Sequence, residues 1–227
     1  MPAPIEIRLS EDELQRCIDF ANNSAPTQQD IEFGQDDTAP RDDAEISRDT
    51  LIGKIAEVAF SKLMSNYGLN VALDWNIYDR GVYDDQDADI NGWKIDVKGT
   101  RAGGQYMLIE HNKLNFRLNE NKLSHIYAMF SVGWNRTSDM PTGIATYVGA
   151  ATLRYMNDTF PRTIVLRRGD LLPGTRYPVH MQADNFAIHF NDLDKRIEGL
   201  VNILQNRQPD NEMIQSFRQY WAGYHNH

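Results

Sequence analysis

One dipeptide constrains this chain more than any other feature. Asn91-Gly92 lies between two runs in which polar and apolar residues alternate. A two-residue type I′ turn needs φ > 0 at both central positions, which Asn and Gly tolerate best, and it fixes the register of the strands it joins. With Asn91 and Gly92 central, Ile90 faces Trp93, Asp89 faces Lys94, Ala88 faces Ile95, Asp87 faces Asp96 and Asp85 faces Lys98. Strand side chains alternate between faces. A hairpin over residues 85–99 therefore places Ala88, Ile90, Trp93, Ile95 and Val97 on one apolar face. Asp85, Asp87, Asp89, Lys94, Asp96 and Lys98 fall on the other.

The polar face has a chemical reading. Two carboxylates opposed across a strand pair repel, and a divalent cation between them removes that cost. Mg²⁺ takes oxygen ligands, commonly one or two carboxylates completed by waters and a substrate phosphate. Lys98 follows Asp96 by two residues on the same face. An ammonium there can orient or help deprotonate an attacking water and offset phosphate charge, as in metal-assisted phosphodiester hydrolysis. A solvated hairpin would alternate in the same way, so the pattern alone admits both readings. The first acid of the pair is Asp87 or Asp89. Direct opposition to Asp96 favours Asp87, whereas Asp89 lies nearer the turn and opposite Lys94.

Asp87 and Asp96-Val97-Lys98, preceded by Glu57 in the helical stretch Gly53-Lys54-Ile55-Ala56-Glu57, resemble the PD-(D/E)XK nuclease superfamily. Its pattern is a helix glutamate, an acid on one strand and (Asp/Glu)-x-Lys on the next. Asp96-Val97-Lys98-Gly99-Thr100 and the later Tyr147-Val148-Gly149-Ala150 are similar to runs in its members, and the resemblance covers about residues 48–155. The proline that often precedes the first acid is absent: Gln86 and Ala88 flank Asp87. The resemblance implies a restriction-endonuclease-like fold of α/β (α+β) class, a central mixed β-sheet flanked by helices with N- and C-terminal helical additions. It implies a DNA endonuclease of restriction or phage type that uses Mg²⁺, with Mn²⁺ able to substitute. Asp87 (or Asp89), Asp96 and Glu57 would hold the metal and Lys98 would position the water. The product would carry a 5′-phosphate. Double-stranded DNA is the expected substrate, and a homodimer would let two sites cut two strands.

The rest of the chain supplies the frame. Ser10 with Glu13 three residues on is a capping-box pattern, and Leu14, Cys17, Ile18 and Ala21 follow at helical spacing. Residues 23–48 read as a long acidic loop. A second helix is predicted from Arg48 to Tyr67, with Gly68 as its stop. Strands are predicted over 71–80, 106–110, 124–132, 143–148, 164–167 and 186–190, and helices over 150–156, 193–204 and 212–220. Such an order suits an α/β or α+β domain built on one central mixed sheet. Residues 1–47 form an N-terminal helix and acidic loop, and 48–227 the nuclease-like domain.

Charge and composition limit the alternatives. The net charge of −9 hides an asymmetry: residues 94–177 hold 12 Lys+Arg against 6 Asp+Glu, a basic middle compatible with nucleic acid. Arg154, Arg162, Arg167 and Arg168 are candidate phosphate contacts, and Gln105, Glu110 and His111 are candidate auxiliary polar groups after the motif. The single cysteine, Cys17, excludes an intrachain disulfide and a cysteine-based zinc site and points to a reducing, cytoplasmic compartment. The N-terminus lacks the order of a signal peptide, and the apolar run near Ile126–Trp134 is too short for a membrane span, so no membrane partner is expected. The six histidines show no ligand spacing, with His225 and His227 in the tail. Gly103-Gly104 is followed by no Gly-Lys-Ser/Thr, which excludes a phosphate loop. A Ser-His-Asp nucleophile elbow is also missing, and no stacking-aromatic module favours RNA. The alternative function is a non-catalytic nucleic-acid-binding or assembly protein that retains the nuclease fold.

Overall fold

A computed structural model describes residues 4–27, 43–78, 87–101, 103–110, 123–158, 164–174, 179–181, 184–209 and 211–212. Strand β1 (Ile5–Arg8) leads into α1 (Glu11–Ser24). The capping box forms as predicted: the Ser10 hydroxyl accepts from the Glu13 amide at 3.2 Å, and the Glu13 carboxylate accepts from the Ser10 amide at 2.6 Å. The same carboxylate lies 2.6 Å from Lys62 Nζ, which ties α1 to α2 (Asp43–Ser65). α2 starts five residues before the predicted Arg48, and its first turn holds Asp43 and Glu45, which suit the positive end of the helix dipole.

Five strands form the main sheet. After β2 (Ala88–Ile90) and β3 (Trp93–Arg101) come β5 (Ile126–Asn135) and β6 (Met140–Thr152), with β4 (Tyr106–Glu110) between them in the chain. The order is β1-β6-β5-β3-β2. β3 and β5 run parallel and every other pair antiparallel, so the sheet is mixed. One face carries Ile95, Val97, Ile126, Ala128 and Phe130. It packs on α1, α2 and α4 (Ile197–Asn206) in the larger core. Full burial of a Val, Ile or Phe side chain contributes about 1.5–3 kcal/mol. Gly99 permits the closest helix approach: a Cβ there would sit 2.7 Å from the Ile52 carbonyl oxygen and 3.1 Å from Ala56 Cβ.

The opposite face carries Tyr127 and Met129 and packs on a second sheet, ordered β4-β8-β7, with β7 at Ile164–Leu166 and β8 at Asn185–His189. Met107, Ile109, Phe186 and Ile188 fill the space between the sheets. The chain is thus mixed α/β, with a mixed sheet flanked by helices on one face and by a smaller sheet on the other. The expectation of one central sheet is corrected here. β4 leaves β3 and pairs with β8, nearly eighty residues away, and local pattern does not encode such a partner.

Other differences are local. Residues 71–78 are not a strand, although Val71, Leu73 and Trp75 alternate and pack on the core. The carbonyls of Val71 and Asp74 accept instead from Ser61 Oγ and Lys54 Nζ of α2. Residues 79–80 lie outside the described residues. β6 extends to Thr152, so the following helix, α3 (Leu153–Asp158), starts later than predicted. A register shift at Met129/Phe130 places the Tyr147-Val148-Gly149-Ala150 run at a β-bulge. Residues 211–212 are helical, and the remainder of the 212–220 prediction lies outside the described residues.

Candidate functional site

The hairpin turn forms with the predicted register. Asn91 and Gly92 have φ of +54° and +82°, and Ala88, Asp89 and Ile90 pair with Ile95, Lys94 and Trp93. The Asp89 carboxylate accepts from the Gly92 amide at 2.9 Å, so Asp89 caps the turn, and its side chain is exposed. The β2 ladder stops at Ala88. Asp87, the next residue outward, reaches across to β3, where its Oδ2 accepts from the Val97 amide at 2.6 Å. Asp85 and Gln86 lie outside the described residues.

β3 then divides its side chains. Trp93, Ile95 and Val97 enter the helix-facing core, and Lys94, Asp96 and Lys98 point to the face toward the second sheet. Asp96 is only 3% exposed, so this face is not the solvated surface of an ordinary polar hairpin. Lys98 Nζ lies 2.9 Å from Asp96 Oδ1, with the Lys98 side chain 26% exposed. Burial would pull the Lys98 pKa down. The charges of Asp96 and Asp87 outweigh it and hold the ammonium above the ordinary lysine value. Asp87, Asp96 and Lys98 are therefore electrostatic neighbours. The structure brings these three predicted residues together and leaves Asp89 at the turn.

Tyr127 belongs to the same site and was not foreseen. It is the register partner of Asp96 across the parallel β3–β5 ladder and is fully buried. Its hydroxyl accepts from the Ser124 amide at 3.3 Å. Burial, and then the Asp96 charge, raise its pKa, so a neutral phenol stands beside the carboxylate. In sequence Tyr127 reads as one more apolar strand residue. Only the parallel register reveals its neighbour.

Glu57 is placed elsewhere. α2 packs on the helix-facing side of the sheet, opposite the face that carries Asp96 and Lys98. There Lys54 Nζ lies 2.5 Å from Glu57 Oε2 and donates to the Asp74 carbonyl at 2.8 Å. The ammonium also lies 4.4 Å and 5.4 Å from the ring centroids of Phe20 and Trp75. The buried Cys17 thiol is close by. Burial pushes its pKa up to about 12, with Lys54 and Glu57 among its charged neighbours.

The remaining candidates are scattered. The Gln105 carbonyl accepts from the Phe190 amide at 2.9 Å beside the second sheet, and Glu110 ends β4 opposite Asn185. Arg154 is exposed on α3. Arg167 and Arg168 follow β7, where their amides donate to Asp170 and Asp184. His111, Arg162, His225 and His227 lie outside the described residues. His125 is buried and structural. Its Nδ1 accepts from the Lys94 amide at 2.9 Å, which puts its proton on Nε2, 3.1 Å from Asn211 Oδ1.

Among the described residues no group of three or more His, Cys, Asp and Glu could hold a metal ion; of the predicted ligands, Asp87 and Asp96 are the two that neighbour Lys98. Two hard oxygen donors fit a Mg²⁺ ion that completes its shell with water and phosphate oxygens, and they do not fit a softer metal. Among the described residues no helix is long and apolar enough to cross a membrane. No family model, curated protein or solved structure matches this chain.

Proposed function

We propose that this chain is a Mg²⁺-dependent DNA endonuclease of the PD-(D/E)XK type, with a restriction-endonuclease-like core. The observation that carries the reading is the grouping of Asp87, Asp96 and Lys98: Asp87 bonds the Val97 amide between the other two, and Lys98 has both carboxylates as charged neighbours. Asp87 and Asp96 would hold the metal. A bound Mg²⁺ supplies Lewis-acid charge at the phosphate and makes water more acidic. Lys98 orients the attacking water and offsets the charge that develops on the phosphate. Tyr127 walls the pair from behind and keeps bulk water off Asp96. Attack in line expels the 3′ oxygen and leaves a 5′-phosphate. Glu57, committed to Lys54, has no metal-binding part in this proposal.

One observation favours a second reading, a DNA-binding or assembly protein that keeps the fold without the chemistry. Asp87 is bonded to the Val97 amide, and Asp96 is paired with Lys98. Such a network could serve the hairpin alone. Plasmid and linear DNA incubated with Mg²⁺, Mn²⁺ or EDTA separate the two readings. Metal-dependent cleavage that leaves 5′-phosphate ends supports the nuclease. DNA binding without cleavage in either metal supports the second reading.

A further inference from the structure

We propose that Lys94 is a substrate-positioning residue that binds the phosphate next to the scissile one, so that the ligand of this face is a polynucleotide strand with at least two consecutive phosphates. The inference rests on the reading of Asp87, Asp96 and Lys98 as the hydrolytic site.

Lys94, Asp96 and Lys98 form one row on β3, because Trp93, Ile95 and Val97 between them face the helix-side core. Two residues of strand separate Lys94 from Asp96 by roughly 6.6 Å. That is comparable to the step between successive phosphates of an extended strand. Asp89 lies directly opposite Lys94 in the ladder. Asp89 instead caps the turn through the Gly92 amide. Among the described residues no carboxylate pairs with the Lys94 ammonium, although its side chain is half-buried. Its backbone is rigid. The Lys94 amide donates to His125 Nδ1, and its carbonyl accepts from the His125 amide, both at 2.9 Å. A half-buried cation on a clamped strand, one step from the metal pair, is pre-organised for an anion and costs little to order when the ligand arrives. A neutral aliphatic ligand would gain nothing from it.

The test is fluorescence anisotropy with a labelled duplex oligonucleotide and its single strand. Ca²⁺ replaces Mg²⁺, and NaCl runs from low to moderate concentration. Lys94→Gln is expected to weaken binding about tenfold at low salt and to make the slope of log Kd against log[salt] shallower by about 0.9 for the duplex. Lys94→Arg is expected to restore both, and both variants should melt at the wild-type temperature. An unchanged slope in Lys94→Gln overturns the proposal. So does failure of Lys94→Arg to restore binding, or a wild type that binds neither oligonucleotide. A wild type that binds with the expected slope loss in Lys94→Gln, yet cuts nothing in Mg²⁺ or Mn²⁺, contradicts the nuclease reading and leaves the phosphate contact standing.

Discussion

Two lysine–carboxylate pairs lie on opposite faces of the same sheet, and they are built differently. On the helix side, Lys54 meets Glu57 at 2.5 Å, and the ammonium is also capped by the Asp74 carbonyl and by the Phe20 and Trp75 rings. The Asp74 carboxylate is a further charged neighbour of Lys54 there. On the other side, Lys98 meets Asp96 at 2.9 Å, and Asp87 is a second charged neighbour. The lysine there keeps 26% of its side chain exposed, against 7% for Lys54. The first pair is closed, with aromatic rings over its ammonium. The second opens to solvent at Lys98, which gives a further cation access to it. Burial of an ion pair therefore does not mark function. Access from solvent separates the two.

The largest expected effect breaks the second pair. Asp87→Asn, Asp96→Asn and Lys98→Ala should each lower Mg²⁺-dependent cleavage by ~1000-fold or more, equivalent to about 4 kcal/mol on the barrier. Circular dichroism should show the fold intact. Asp89→Asn should leave cleavage within about tenfold, since an amide oxygen can still cap the turn. The reverse order of damage between positions 87 and 89 would make Asp89 the ligand.

The next effect is on stability and belongs to the first pair. Lys54→Met leaves Glu57 without its main cation in a nearly buried position and should cost about 3–5 kcal/mol in urea denaturation. Added Mg²⁺ should not restore it. A third comparison uses the metal itself. At a hundredfold excess over its dissociation constant, Mn²⁺ should stabilise the wild type by about 2.7 kcal/mol. The gain should vanish in Asp96→Asn and persist in Glu57→Gln.

A further effect is a pH dependence beside the first pair. The Cys17 thiol holds its proton up to about pH 12 in the folded chain, against an ordinary value of 9.0, because burial disfavours the thiolate. A raised folded pKa contributes stability that is fully present below pH 9 and lost as pH rises from about 9 to 12. The stability difference between wild type and Cys17→Ala should therefore shrink over that window. Native Cys17 should also resist thiol reagents at pH 8 until urea is added. Rapid native labelling would contradict this burial.

How much of this was legible depends on how local each signal is. The turn at Asn91-Gly92 set its own register, and Ser10 with Glu13 set a helix start, because both rest on backbone geometry within four residues. β1 escaped notice because Ile5 and Ile7 are only two apolar residues, and the pairing with β6 comes from far along the chain. The second sheet was illegible for the same reason. The Asp87–Asp96–Lys98 group was legible because one hairpin carries it. Which way Glu57 faces depends on how α2 rolls against the sheet, and that follows from Gly99 admitting Ile52 and Ala56 rather than from any helix motif.

The most direct test is calorimetric titration of the protein with Mn²⁺, run on the wild type, Asp96→Asn and Glu57→Gln. The account predicts binding by the wild type, loss in Asp96→Asn and wild-type binding in Glu57→Gln, since the proposed ion sits on the face that carries Asp96. Undiminished binding in Asp96→Asn, or loss of binding in Glu57→Gln, would contradict it.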